Sequence, residues 1–420
     1  MAHPLIQTLK NVRGNARGAI LSEPLWGIPF NLYAPYFSVY MRALGLTDSQ
    51  IGLLVSLGLA MQFFWGLLGG IITDKLGRKR TTFIFDALSW SIPTLLWATA
   101  RSFYSFLAAV PFNSAWRVTH NSWTLVLVED TDPEELVEIY SWIYIAGQLA
   151  VFFAPIAGLL IARFGLVPTM RGLLLLACVM MTAKFIVMNA MVTETRQGKI
   201  RMEETRHRSI FSLLLEYRDV LGILFRSPAT LYTLGIHLAF SIAATVSNTF
   251  WSILVTEKLH IPAAHLSFFP IAKSAIMLTF FFLITPRLRG VHFRNPMVLS
   301  FLGYMVAYSI LLLTPAGNYP LLFLSVTIET CSFAVLGTQM DRLLVVTMNA
   351  EERARLMALF VATLVAATSP FGWIAGQLSS IDRNLPFVLC LIMYVIGIVL
   401  VLRAARLPEN QPQSREVPAG

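Results

Sequence analysis

Apolar residues in this chain gather in runs of about 20, separated by short polar clusters. They neither alternate as strands do nor form the single apolar stripe of a soluble helix. Twelve such runs fall near 19–42, 49–73, 81–101, 103–128, 136–163, 168–192, 229–256, 263–286, 294–314, 318–347, 352–379 and 384–405, numbered here as spans 1 to 12. A helix of that length crosses the hydrocarbon of a bilayer, about 30 Å thick. Prolines and glycines interrupt several runs, as membrane helices tolerate. Composition agrees: 56% of the 420 residues are hydrophobic and 13% charged, against about 25% charged in soluble domains. A soluble fold of this size cannot hide that much apolar surface, so the pattern predicts an all-α, multi-pass membrane protein.

The longest polar stretch, 193–228, divides the spans six and six. It predicts a domain order of N-terminal tail 1–18, first six-helix bundle 19–192, linker 193–228, second bundle 229–406 and tail 407–420. Within the linker, Ile210, Leu213, Leu214, Tyr217, Leu221 and Leu224 recur at helical spacing, predicting an amphipathic helix at the membrane surface. The halves echo one another. Asp132-Pro133-Glu134-Glu135 opens span 5 and Asn349-Ala350-Glu351-Glu352 opens span 11, both expected to be capping boxes. Ala154-Pro155-Ile156-Ala157-Gly158 and Ser369-Pro370-Phe371-Gly372 then follow in nearly the same register. Repeated halves are a transporter architecture.

The net charge of +9 raises the question of nucleic acid, and its distribution answers it. With the N-terminus placed in the cytoplasm, 23 of the 32 Lys and Arg fall in inner segments, six in outer loops and three within spans. That asymmetry is the positive-inside rule, so both termini are expected in the cytoplasm and no nucleic-acid partner is expected. Cys178, Cys331 and Cys390 all lie within spans, which argues against a disulfide framework. The first run carries Glu23, Asn31 and prolines, too polar for the apolar core of a cleaved signal peptide. No phosphate-binding loop of the G-x-x-x-x-G-K-[ST] kind appears, so direct ATP drive is not expected.

Between spans 2 and 3 the chain reads Gly70-Ile71-Ile72-Thr73-Asp74-Lys75-Leu76-Gly77-Arg78-Lys79. This resembles the G-x-x-x-D-K-x-G-R-K loop of the major facilitator superfamily, and with the internal repeat the resemblance covers residues 19 to 406. It implies twelve transmembrane helices in two pseudo-symmetric six-helix bundles. It also implies a gating loop in which Asp74 meets the positive end of a helix from the other half, Gly70 allows close approach and Gly77 a tight turn. Lys75, Arg78 and Lys79 are expected to meet Glu129, Asp130 or the 134–138 acidic cluster. The copy in the second half, Thr285 to Gly290, keeps only its basic character. Pro155 and Gly158 partly match the superfamily's antiporter motif on helix 5, while Ala154 and Leu159 stand where glycines are expected; this leans towards export.

In the superfamily, helices 1, 4, 7 and 10 line the central cavity, and here those spans carry polar stripes. Span 1 offers Glu23, Asn31 and Ser38; span 4 Asn113, Arg117, His120, Asn121 and Thr124; span 7 His237, Ser241, Thr245, Asn248 and Ser252; span 10 Ser325, Glu329, Ser332 and Gln339. Spans 3, 9 and 12 show no comparable stripe. An unpaired polar group in hydrocarbon costs several kcal/mol, so the stripes are expected to face protein or water. Arg117 and Glu329 sit near mid-membrane, which makes each a functional or paired residue. Arg117 is a candidate for binding a carboxylate or phosphate, Glu329 for exchanging a proton, and a structural Arg117–Glu329 pair is the competing reading. Glu23 and His237 are further proton candidates, Lys273 a candidate anion site, and Lys184 is expected to snorkel to the surface. Arg117 lies about two turns deeper than the helix 4 Arg found in many members, whose role is therefore not transferred.

The sequence thus predicts a secondary transporter of the inner (plasma) membrane, working by alternating access on a small organic solute. It is expected to be proton-coupled, monomeric and free of cofactors and metals, with efflux favoured and uptake of an organic anion the alternative. A membrane sensor that keeps the fold without transporting is the rival from another class. No nucleophile, paired-carboxylate or His-rich constellation within one span predicts an enzyme.

Overall fold

The computed structural model describes residues 12–132, 134–209, 228–283, 292–346 and 353–407, and is helical apart from short connections. The amphipathic linker helix, the second basic loop and the second capping box fall outside the described residues. Among those described, nine helices are long and apolar enough to cross a membrane, corresponding to spans 2 and 5 to 12. The other three spans run as pieces each too short to cross alone. Span 1 runs as Gly14–Ser22, Pro24–Tyr33, a 3₁₀ turn Ala34–Tyr36 and Phe37–Ala43. Pro24 and Pro35 each begin a piece and Pro29 lies inside one, removing backbone donors. Span 3 runs as Arg78–Asp86, a π-helical turn Ala87–Ser91 and Ile92–Ala98. Span 4 breaks at Ala115, between Phe103–Ser114 and Trp116–Val128. With these broken runs included, the described residues hold helical segments in each of the twelve apolar runs, six on either side of residues 193–228.

The outer surface inverts the soluble pattern. Leu159, Val179, Leu299 and Leu313, on spans 5, 6 and 9, are all more than two-thirds exposed. On a membrane protein that belt faces lipid.

Among the described residues, three pairs of helices make most of the contact between the halves: span 2 (Asp48–Leu76) with span 11 (Arg353–Thr368 and Pro370–Ile381), span 5 (Leu136–Val151 and Ala154–Phe164) with span 8 (Ala263–Leu283), and span 1 with span 7 (Pro228–Glu257). The first joint is built from missing side chains. A β-carbon on Gly52 would collide with the Gly372 carbonyl and stand 2.9 Å from Gly376 Cα; one on Gly376 would stand 2.6 Å from the Asp48 carbonyl. Such approach lets Trp373 N–H donate to Ser56 Oγ (2.7 Å) and Ser369 Oγ to the Ser56 carbonyl (3.0 Å). Small residues at a helix crossing are the membrane's substitute for a hydrophobic driving force. At the second joint Gly158 lies against the Ala264 carbonyl and Ser267 Oγ.

Local signals differ from expectation at two helix starts. The first helix of span 5 begins at Leu136, and the Glu135 N–H bonds to the Asp132 backbone carbonyl (2.9 Å) a turn ahead of it, so no capping box forms around Asp132. A full box instead opens span 2, where Thr47 Oγ1 accepts from Gln50 N–H (3.2 Å) and Gln50 Oε1 accepts from Thr47 N–H (3.0 Å).

Candidate functional site

The basic loop folds onto its own half. Gly77 takes φ +85°, the conformation that favours glycine. Arg78, almost fully buried, donates to Glu129 (3.0 Å) and Asp74 (3.0 Å). The other Asp74 oxygen accepts from Arg201 (2.9 Å) on the linker helix Arg196–Thr205, which raises that guanidinium's pKa above its ordinary value. Glu194 accepts from the first N–H groups of span 3, Arg78 (2.8 Å) and Lys79 (3.0 Å), while the start of span 11 in the other half lies outside the described residues. The Lys75 ammonium bonds to the Thr205 carbonyl (3.1 Å). Of the expected pairings, the structure makes Arg78 with Glu129. Gly69, beside Gly70, sits 3.3 Å, measured from an ideal β-carbon, from Val118 Cα on span 4.

At the opposite face charges clasp the two halves together. Arg42 and Arg383 share Asp48 and Glu257, with Arg42 Nε 2.9 Å from Glu257 and 3.4 Å from Asp48, and Arg383 in contact with both acids. Asp48, almost fully buried, also accepts from Ser379 Oγ (2.7 Å). These groups come from the ends of spans 1, 2 and 7 and the loop between spans 11 and 12, so the span 1–7 and span 2–11 joints meet here. Burial and the neighbouring Arg42 lower the Arg383 pKa from its ordinary value.

Between the clasp and the basic loop lie two cavities. One, of about 380 Å³, is lined by spans 5, 7, 8, 9, 10 and 12 and holds an ion pair, Lys273 Nζ to Glu329 at 3.0 Å. Tyr304, Tyr308 and Tyr394 form its inner wall, Tyr304 stacked on Tyr394 and Tyr308 edge-on to both. Gln148 of span 5 closes it by accepting from Ser274 of span 8 (2.6 Å), a hydrogen bond across the halves. The other, of about 370 Å³, is lined by spans 1 to 4 and walled with Phe30, Tyr33, Phe37, Trp90, Trp97 and Phe106. Asn248 of span 7 borders both. The pair is therefore one polar and one aromatic chamber meeting at the junction of the halves.

The sequence-predicted residues divide between these chambers and elsewhere. Asn248, Lys273 and Glu329 line the polar chamber, and Asn113 lines the aromatic one while donating to the Ser89 carbonyl (3.1 Å). Arg117 does not approach Glu329: its guanidinium stacks on Trp116 at 4.6 Å, and Lys273 takes the glutamate instead. His120 is exposed, edge-on to Trp116. Asn31 donates to the Gly27 carbonyl of its own helix (2.8 Å). His237 is buried against Phe360, bonded to the Thr233 carbonyl (2.8 Å), and belongs to neither chamber's lining. Glu23 pairs with Lys184 (3.7 Å), which is buried rather than snorkelling.

Sequence reasoning missed the contributions of spans 3, 9 and 12. Asp86 of span 3 is buried 3.8 Å from Lys184. The three tyrosines come from spans 9 and 12, and Trp90 and Trp97 from span 3. A search for polar stripes treats Tyr and Trp as apolar, although each has a polar tip; a scan for Tyr at helical spacing, as at Tyr304 and Tyr308, is the signal that was present.

Comparison with known proteins agrees with this architecture. Among curated proteins, the uncharacterized MFS-type transporter YqjV of Bacillus subtilis (strain 168) is 24% identical over 127 residues, 30% of this chain and 31% of that one. The match thus spans about a third of that relative's length. Among solved structures, the nucleoside transporter NupG superposes with TM-score 0.70 at 15% identity, covering 93% of this chain and 98% of that one. A POT family transporter in complex with 5-aminolevulinic acid gives 0.71 at 13% (94% and 98%), and the peptide transporter POT in complex with sulfate 0.71 at 14% (96% and 99%). At those identities the likeness is one of fold. The sequence model of the Major Facilitator Superfamily matches residues 25–367, and with the two six-helix sets and the basic loop after span 2 this places the chain: it belongs to the Major Facilitator Superfamily of transporters.

Proposed function

We propose that this protein is a secondary transporter that moves a small amphipathic organic ion by alternating access, coupled to protons and leaning towards efflux. The observation that carries the reading is the pair of chambers meeting at Asn248 between the halves, one holding the Lys273–Glu329 pair and one walled by aromatic rings. A charged or zwitterionic head fits the first, where Lys273 and Glu329 exchange each other for the solute. A planar apolar body fits the second, where ring faces and edges stack. The clasp of Arg42, Asp48, Glu257 and Arg383 acts as the gate of one face. By charge asymmetry that face is the outer one, the basic loop and both termini are cytoplasmic, and the membrane is the plasma (inner) membrane, with the protein acting as a monomer. The efflux direction rests on Pro155 and Gly158, with Gly158 in close contact across the halves.

Uptake of an organic anion is the second reading. It is favoured by the greater exposure of the Lys273 side chain (38%) than of Glu329 (14%), which offers the chamber a cation first.

The test is a thermal-shift screen of purified protein at about pH 6 and about pH 8 against nucleosides, peptides, organic anions and amphipathic cations. A ligand of the folded state raises its stability, by about 2.7 kcal/mol at a hundredfold excess over Kd. We expect a stabilising ligand whose effect is lost in Lys273→Met and Glu329→Gln. Transport of that ligand in proteoliposomes under an imposed pH gradient then gives direction. A ligand whose stabilisation survives both substitutions sinks the chamber assignment.

A further inference from the structure

Outside the solute chambers, the first half buries a second charged cluster. Glu23 stands where span 1 breaks before Pro24, Asp86 is the last residue before the π-helical turn of span 3, and Lys184 lies in span 6. The ammonium sits between the two carboxylates, 3.7 Å from Glu23 and 3.8 Å from Asp86, and the side chains of Asp86 and Lys184 are 4% and 6% exposed, that of Glu23 15%.

Charge counting separates this cluster from the chamber pair. Lys273 and Glu329 balance one to one. Glu23, Asp86 and Lys184 hold two acids against one base, so a fully ionised cluster keeps a net negative charge away from water, which is strongly unfavourable. Among the described residues, none in contact with the cluster supplies the missing positive charge. Span 4 presents Thr119, almost fully buried, whose hydroxyl faces Asp86 without reaching a normal hydrogen bond. It also presents the ring of Trp123, 6.0 Å from Lys184, with an indole N–H that has no partner among the described residues. Its Arg117 turns to Trp116, and His120 is exposed. Phe185 of span 6 adds a ring face at 5.6 Å. Lys79 borders a gap of about 10 Å³ beside Asp86, room for at most about one water, but the charges acting on Asp86 are Lys184 and Glu23.

We propose that Glu23, Asp86 and Lys184 are the site of the coupled proton. One proton adds to the excess carboxylate, leaving one acid neutral beside a charge-balanced Asp/Glu–Lys pair, and the same proton leaves to water when the site opens to the other face. Glu23, the most exposed member, is the point of exchange. The cluster also has a route to the solute. Trp26 lies three residues beyond Glu23 and Trp90 four beyond Asp86, one turn away in each case. Trp26 stacks on Phe30 (4.8 Å) and meets Trp90 edge-on (5.1 Å), and Phe30 and Trp90 wall the aromatic chamber. Gain or loss of the proton alters the charge holding spans 1, 3 and 6 together, and the π-helical turn between Asp86 and Ile92 is the segment of span 3 that adjusts. This assignment rests on the transporter reading, and it moves the proton from Glu329 to the other half.

Infrared difference spectroscopy of the full chain in lipid tests it without any solute. The sample is titrated from about pH 5 to about pH 9, the range over which perturbed buried carboxyls titrate. We expect the C=O band of one protonated carboxyl per protein, lost on alkalinisation, absent in Asp86→Asn and Glu23→Gln and kept in Glu329→Gln. If Asp86→Asn does not fold, wild-type protein carrying carboxyl-¹³C aspartate and a second sample carrying ¹³C glutamate replace it: a shift of the band with the aspartate label, kept in Glu329→Gln, supports the site. A band lost in Glu329→Gln but kept in the two cluster variants, or no titrating band, overturns it. Neither result touches the ligand screen, so the proton site and the solute site fail separately.

Discussion

The two halves each pair an intramembrane lysine with acid, and they do so in opposite ways. Lys273–Glu329 is charge-balanced, 3.0 Å apart and opens on a chamber of about 380 Å³. Lys184 sits between two acids at longer range and lines neither solute chamber, and the gap beside Asp86 holds at most about one water. A balanced pair at a cavity wall is easily exchanged for a charged ligand, because water already meets part of the cost of separating it. An unbalanced, largely buried cluster is instead relieved by neutralising one acid, whereas losing its lysine leaves two acids uncompensated. On the reading proposed above, solute belongs to one half and proton to the other, and the aromatic chamber adjoins both.

The sharpest break is Lys184→Met. It strands two buried carboxylates, and we expect a loss of about 3–5 kcal/mol of stability, read as a large fall in melting temperature that Lys184→Met/Asp86→Asn partly restores. Failure of the second substitution to restore any stability removes the claim that the lysine's role there is electrostatic. Next comes the joint on which both halves turn. Gly376→Val adds bulk where the Asp48 carbonyl leaves none, and should cost about 1–3 kcal/mol by overpacking; an unchanged melting temperature shows the helices are not held that closely. Glu329→Gln should be milder, about 1 kcal/mol or less, because its partner is more than a third exposed. Its expected signature is loss of ligand stabilisation with pH dependence retained, the reverse of Asp86→Asn. The smallest stability effect is expected from Arg383→Ala, about 0–1 kcal/mol at a partly exposed network. Its readout is access: a cysteine placed at Ser252 should react faster with a membrane-impermeant thiol reagent once the clasp is weakened, and equal rates show that the clasp is not a gate.

How much of this was legible before the structure depends on which residue is asked about. Spans 2 and 5 to 12 follow from continuous apolar runs, a signal that needs no partner to interpret. The basic loop was legible as a motif, and the Arg78–Glu129 contact as a pairing of neighbouring loops, yet the motif gives no sign of Glu194, which accepts from the first N–H groups of span 3. Lys273 and Glu329 were each singled out, but Glu329 was matched with Arg117, on a helix of the other half. Asp86 went unremarked because a lone carboxylate at the edge of an apolar run reads as a boundary residue until the fold puts Lys184 beside it.

Sequence by itself determined the membrane class, the helices, their division into two sets and the family motif. All are set by hydrophobic pattern and spacing along one stretch of chain, where the physics is local. Only the tertiary structure decided which charges meet, because that depends on the rotation of each helix about its axis, and a turn of 100° per residue moves a side chain from lipid to cavity within two positions. It also decided that tyrosines and tryptophans of spans 3, 9 and 12 wall the chambers: an aromatic ring suits lipid and ligand alike, and packing of the neighbouring helices chooses between them.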